Sequence, residues 1–311
     1  MTPLCEAIVR DHQVRKGRAR KAAFRALVKA EMRKEGVLFR EERAKGLLEN
    51  VNLVCGNLST ADYVLGAHYD TCAELPFPNF VAPLNWPLSI LFQLGLTAAL
   101  LLLAALPALL CTHLGAPGAV AWIVGGLCCI ALTVLMVAGP ANRHTMNDNT
   151  SGVVALLTLL ARLPKEQRAR VAVVLFDNEE TGLLGSTLFR RRHARVMEEK
   201  PLINLDCVGE GETLLLAASK GYRADEALWA RTRAAFPPGA CEPLPVPAAR
   251  AFYPSDQLGF KKSLAMAALR RRRFAGPSLG RIHTRRDTVL EEKNIEYIVE
   301  GLLRLIDNEN E

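Results

Sequence analysis

Between Leu84 and Gly139 the chain carries no Lys, Arg, Asp or Glu, whereas charged residues are spread through the sequence on both sides. Two apolar runs fill this block, Leu84 to Leu110 and Ala116 to Ala138, separated by the short break Cys111-Thr112-His113-Leu114-Gly115. At about 1.5 Å of rise per residue each run is long enough to cross the roughly 30 Å hydrocarbon core of a bilayer. The break is too short for anything but an antiparallel hairpin, so both ends of the insert emerge on one side. A pair of buried core helices is the alternative, and the length and absence of charge weigh against it. Pro107 falls near the end of the first run, where a break in the helix costs little. The hairpin loop has no Lys or Arg, so the positive-inside rule puts the flanking sequence in the cytosol.

Outside this block the sequence is that of an ordinary folded domain. Lys and Arg exceed Asp and Glu by 39 to 32, and the excess sits in the first fifty residues and in the runs Arg190 to Arg192 and Arg270 to Arg273. No helix-turn-helix, finger or aromatic-interleaved basic strand accompanies them, which argues against nucleic acid and leaves a solvated face or contact with anionic lipid. The eight cysteines form no C-x-x-C pair and no regular framework. With no apolar signal-peptide core in the first 49 residues, free thiols in a reducing compartment are the expectation.

Periodicity divides the chain into basic N-terminal helices over residues 1–50, an α/β domain over 51–83 and 140–311, and the inserted hairpin over 84–139. Strands are expected at Val51 to Cys55, Tyr63 to Ala67, Arg170 to Phe176, Pro201 to Val208, Leu214 to Ala217 and Leu264 to Leu269. Helices are expected at Ser151 to Leu163, Gly182 to Glu198, Asp225 to Phe236 and Asn294 to Asp307, with Thr150 or Ser151 capping the first. The alternation indicates a doubly wound, mixed but largely parallel sheet with flanking helices.

Five short motifs fall at the ends of these elements: His68-Tyr69-Asp70, Asn147-Asp148-Asn149, Glu179-Glu180, Asp206 and His283-Thr284. Each alone is ordinary. In an open α/β sheet, however, loops at the carboxyl ends of parallel strands converge on one crevice. Two histidines and several carboxylates gathered there would repel one another without cations between them, and such a mixed nitrogen and oxygen set suits Zn²⁺.

The order His-x-Asp, Asn-Asp-Asn-x-Ser-Gly, Asn-Glu-Glu, Asn-Leu-Asp and His-Thr-x-x-Asp-Thr resembles the di-zinc aminopeptidases typified by secreted bacterial leucine aminopeptidases. The resemblance spans Val51 to Asp307 without the insert. It implies two zinc ions, with His68 and Asp206 on one, Glu180 and His283 on the other, and Asp148 bridging both. Glu179 would be the general acid/base of a peptide hydrolysis, and Asp70 would orient His68 through its second ring nitrogen. Asp287 and Thr288 would brace the loop that carries His283. Ser255-Asp256-Gln257-Leu258-Gly259-Phe260 is similar to the family's Ser-Asp-His-x-x-Phe, with Gln257 in place of the usual His.

The expectation is a membrane-anchored metallo-aminopeptidase whose partners are a peptide substrate and, through the hairpin, membrane lipid, with the catalytic domain cytoplasmic. The alternatives are a glutaminyl cyclase using a single zinc and a membrane scaffold that has lost the chemistry. Retention of His68 argues against the first, and the complete set of acidic and histidine residues against the second.

Overall fold

The computed structural model describes residues 1–44 and 48–307; residues 45–47 and 308–311, parts of the expected N-terminal and α/β segments, lie outside the described residues. Helices α1 (Pro3–Asp11) and α2 (Arg18–Lys34) lead into strands β1 (Phe39–Ala44), β2 (Asn50–Cys55) and β3 (Tyr63–His68). The hairpin follows as α3 (Trp86–His113) and α4 (Gly118–Ala138). After it come α5 (Gly152–Arg162), β4 (Val171–Phe176), α6 (Leu184–Arg192), α7 (Ala194–Met197), β5 (Leu202–Leu205) and β6 (Thr213–Ala218). The chain ends with α8 (Lys220–Ala224), α9 (Glu226–Ala235), β7 (Glu242–Pro247), β8 (Ser263–Arg272), β9 (Gly276–Ser278) and α10 (Glu292–Asp307).

One nine-stranded sheet runs in the order β1-β2-β4-β3-β5-β8-β6-β7, with β9 paired to β8. Its middle, β4-β3-β5-β8, is parallel, and antiparallel pairs flank it. The central strands are buried on both faces, which is why they read as continuous apolar runs such as Val171-Ala172-Val173-Val174-Leu175-Phe176 rather than as alternation. On one face Leu65, Val173 and Ile203 join Phe24, Leu156 and Ile298 from α2, α5 and α10; on the other Val64, Val174 and Leu202 meet Phe189 and Met197 from α6 and α7. The sheet is therefore doubly wound and mixed, as the sequence indicates. Gly66 in β3 has no room for a side chain, since a Cβ there would sit 2.7 Å from the Phe176 ring.

The N-terminal segment differs from its expected form. Its third part, Phe39–Ala44, is an edge strand paired with β2, and α1 and α2 bury Ile8, Phe24, Val28 and Met32 in the main core. Of the basic residues of α2, Arg25 and Lys21 turn inward, and Arg18, Lys29 and Lys34 lie on its outer side. Two short strands, β7 and β9, also fall outside the expected set.

α3 and α4 are long and apolar enough to cross a membrane, and only 6% of each most apolar window is buried. α3 continues through Pro107 to His113 rather than breaking there. The two helices approach closely where Gly125 faces Ala108: a Cβ on Gly125 would lie 3.3 Å from that of Ala108. The base of the hairpin is pinned to the domain. Ser89 Oγ bonds both the N–H and the carbonyl of Ala82 at 3.0 Å, Val81 pairs with Leu279, and Lys16 Nζ donates to the Val137 carbonyl at 2.6 Å.

Candidate metal centre

β3, β4 and β5 are parallel, so the residues following them arrive at the same edge of the sheet. His68 is the last residue of β3, Glu179 and Glu180 follow β4, and Asp206 follows β5. Asp148 sits in the turn Met146–Ser151 that leads into α5, and His283 in the loop after β9. All five expected metal-binding residues, His68, Asp148, Glu180, Asp206 and His283, come together here, with Glu179 and Asp70 beside them.

Asp148 lies between the two histidines. Its Oδ1 is 3.2 Å from His68 Nε2, which is in turn 3.6 Å from Asp206 Oδ1. Its Oδ2 is 2.9 Å from His283 Nε2, which is 3.3 Å from Glu180 Oε2. Donors about 2.0–2.1 Å from a tetrahedral ion stand roughly 3.3 Å from one another, so these spacings fit zinc on either side of one carboxylate. An orphaned atom supports that fit: Glu180 Oε1 is buried with no hydrogen-bond partner. The trio His68, Asp148 and Asp206 is one group of donor atoms lying within 4.8 Å of each other; His68, Glu179 and Glu180 form another, and Cys72, Glu180 and His283 a third. Nothing in its spacing marks Cys72 as a neighbour of His283, and only the fold brings it there.

Crowded charge sets the protonation of these groups. Burial works against a charged His68, but the Glu179 charge and the carboxylates of Asp148, Asp206 and Asp70 hold its pKa well above the usual range. For His283 burial is likewise outweighed by Glu180 and Asp148, and the pKa rises to about 10. Glu180 is pushed up to about 7 by burial and by Asp148, and Glu179 well up by burial together with Glu180, Asp256 and Asp206. Asp148 goes down: burial opposes its charge, and His283 and His68 prevail.

Backbone elements aim the donors. The hydrogen bond expected between Asp70 and His68 Nδ1 is not formed: the two are 3.6 Å apart, and the Asp70 oxygens instead accept the backbone N–H groups of Glu179 and Glu180 at 3.0 and 3.2 Å. Asp70 thus fixes the Glu179-Glu180 turn. Asp287 ties down the His283 loop as expected, its N–H bonding the Thr284 carbonyl at 3.1 Å, and its carboxylate does more. It accepts the N–H groups of Asn147 and Asp148 at 2.8 and 2.9 Å, bracing the Asp148 turn, while Leu75 N and Asn142 Nδ2 hold the carbonyls of His283 and Thr284. Asn149, rather than Thr150 or Ser151, bonds the first N–H of α5, at 3.0 Å from Gly152 N. A Cβ on Gly152 would meet the Leu205 carbonyl at 2.5 Å, so that close approach needs glycine. Gln257 is buried behind the site, accepting from Asn204 and donating to the Tyr253 carbonyl.

Sequence reading missed the support behind the cluster. Arg15 is fully buried, donates to the carbonyls of Tyr69 and His12 and to Thr150, and lies near Asp70, Asp148 and Asp287; burial lowers its pKa to about 10. Lys21 pairs with Asp177 at 2.6 Å, and Arg25 donates to the Tyr69 hydroxyl at 2.9 Å. The basic N-terminal helices therefore place cations behind an acidic site. Nothing in the local sequence separates Arg15 from its solvated neighbours.

A cavity of about 440 Å³ opens onto His68, Asp148, Glu179, Asp206 and His283. A larger groove of about 520 Å³ lies between α3 and α4, lined by residues such as Leu101, Ala108 and Trp122 and remote from the acidic cluster.

The chain belongs to Peptidase family M28, whose model matches residues 132–300, more than half of the sequence and four of the five expected metal-binding residues, all but His68. No curated protein matches it. Among solved structures it is similar to a Zn-dependent exopeptidase from Parabacteroides distasonis, at 14% identity and TM-score 0.61, with 98% of this chain and 97% of that one covered. It is also similar to a glutaminyl cyclase from Porphyromonas gingivalis (17% identity, TM-score 0.59, 98% and 96% covered). The LapA aminopeptidase of Legionella pneumophila is a third, at 10% identity and TM-score 0.56, with 97% of this chain and 69% of that one covered. At these identities the likeness is one of fold. The family and the donor chemistry together support a metal-dependent hydrolase that uses zinc.

Proposed function

We propose that the protein is a di-zinc aminopeptidase. The observation that carries the reading is Asp148, whose two oxygens face two separate histidine-containing groups, His68 with Asp206 and His283 with Glu180. Zinc bound there would supply Lewis-acid polarisation of the scissile carbonyl. His68 and Asp206 would hold one ion, Glu180 and His283 the other, with Asp148 shared. Glu179, next to both groups, takes the proton from the attacking water and returns it to the departing amine. Asp70 keeps Glu179 in place through its backbone N–H. Arg15 and Asp287 hold the peptide segments behind His68 and Asp148.

The hairpin is read as a membrane anchor with the catalytic domain on the cytosolic side, because its loop lacks Lys and Arg and all of the chain's Lys and Arg, Arg143 next to the second helix among them, lie on the other side. Cysteine labelling with a membrane-impermeant reagent in intact cells checks the orientation: with the native cysteines replaced by Ser, a cysteine introduced at Gly115 should react and one introduced at Leu38, exposed on the domain, should not.

Glutaminyl cyclization is the second reading, favoured by the cyclase among the similar structures. Assays of the purified wild type and of Glu179→Gln against aminoacyl and glutaminyl peptides separate the two. Release of N-terminal residues, lost in Glu179→Gln, supports the aminopeptidase; a cyclized product with no released residue overturns it.

A further inference from the structure

The base of the hairpin forms a wall of the cavity at the acidic cluster. Ser89, Gln93 and Leu96 follow one another at spacings of four and three along α3, which puts them on one helix face, and they line that cavity together with Met136 of α4. Phe80 and Phe252 line it as well. The wall is fixed, because Ser89 is bonded twice to Ala82 and the Phe80 ring packs edge-on against Phe92 at 5.8 Å. Helix lengths say where it sits. α3 has 28 residues and α4 has 21, and the short loop aligns their far ends, so the surplus of α3 overhangs at the base by about 10 Å. The overhang, Trp86 to Phe92, carries Ser89, and Gln93, Leu96 and Met136 lie just beyond it, level with the last turn of α4, at the domain end of the bilayer-length stretch.

We propose that the hairpin base is the specificity wall of the substrate pocket, selecting peptides that begin with a large apolar residue. This rests on the aminopeptidase reading. A scissile carbonyl held at His68, Asp148 and His283 leaves the neighbouring side chain to fill the lobe bounded by Leu96, Met136, Phe80 and Phe252. A Leu or Phe side chain displaces water from that lobe, whereas Ala leaves it unfilled. An element that reads as an anchor is also part of the binding site.

The test uses the full chain, zinc-loaded in lipid nanodiscs, with fluorogenic aminoacyl amides of Ala, Leu and Phe. Leu96→Trp and Met136→Trp fill the lobe; Leu102→Trp, on a surface of α3 that is 70% exposed, is the control. Leu96→Trp and Met136→Trp should lose on the order of 10- to 200-fold in kcat/KM on Leu and Phe amides while Ala stays within about threefold, and the control should match the wild type. Equal loss on all three substrates, or no loss, overturns the wall. If the wild type cleaves none of them, the aminopeptidase reading fails, and the wall is then judged by calorimetric binding of phenylalaninamide. Binding weakened tenfold or more by Leu96→Trp upholds it; unchanged or undetectable binding removes it.

Discussion

The sheet domain and the hairpin are both strongly apolar, and they use that property in opposite ways. Leu156 in α5 is fully buried among side chains of the same chain, whereas Leu102 in α3 is 70% exposed and Trp122 in α4 is 85% exposed. The domain completes its own core; the hairpin presents an apolar surface that the described residues leave uncovered. Polar groups divide in the same way. In the domain they gather at the carboxyl edge of the parallel strands, and in the hairpin only those near its base, Ser89 and Gln93, face the site. The cavity at the acidic cluster and the hairpin meet at one point, where α3 and α4 join the domain.

The largest effect expected is on the chemistry side. Glu179→Gln should lower turnover by roughly 10²- to 10⁴-fold, the range of general acid/base catalysis, and leave the folded structure intact by circular dichroism. Activity retained in this variant would take Glu179 out of the mechanism. Next comes the core: Leu156→Ala should cost about 2–5 kcal/mol in denaturant unfolding. Behind the metal centre, Arg15→Met should cost about 1–3 kcal/mol, because the Tyr69 and His12 carbonyls lose their buried donor. A neutral Arg15→Met would mean that water replaces the guanidinium and that the N-terminal helices do not hold the site. Smallest of all, Leu102→Ala should change stability in nanodiscs by less than about 0.5 kcal/mol. A core-sized loss there would show that α3 packs against protein along its length, breaking the contrast between the two regions.

The hairpin was legible because 56 successive residues from Leu84 to Gly139 without an acid or a Lys or Arg suit little except a pair of membrane-length helices. The donors were legible because parallel strands deliver their ends to one edge, so short motifs spread over more than two hundred residues converge. Edge strands were harder. β7, Glu242-Pro243-Leu244-Pro245-Val246-Pro247, has prolines at alternate positions, which forbids a central strand; at the edge of the sheet the missing N–H groups cost nothing on the side without a neighbour. β1 is mostly charged and becomes a strand only through its pairing with β2. Residues acting through the backbone were also hidden. Asp70, Asp287 and Asn149 stand inside the recognised motifs, yet the N–H groups they serve lie on other segments or beyond the expected cap. Arg15 is concealed by its neighbours, because a buried arginine in a basic stretch looks like a solvated one.

The central claim is that Asp148 joins two zinc sites in one pocket. Counting zinc per chain by mass spectrometry of the metal in the purified wild type, and again in His68→Ala and His283→Ala, tests it most directly. Two zinc ions in the wild type, falling to one or none in each variant, is the expected result. A single zinc in the wild type that His68→Ala leaves in place would contradict it and turn the assignment toward the cyclase.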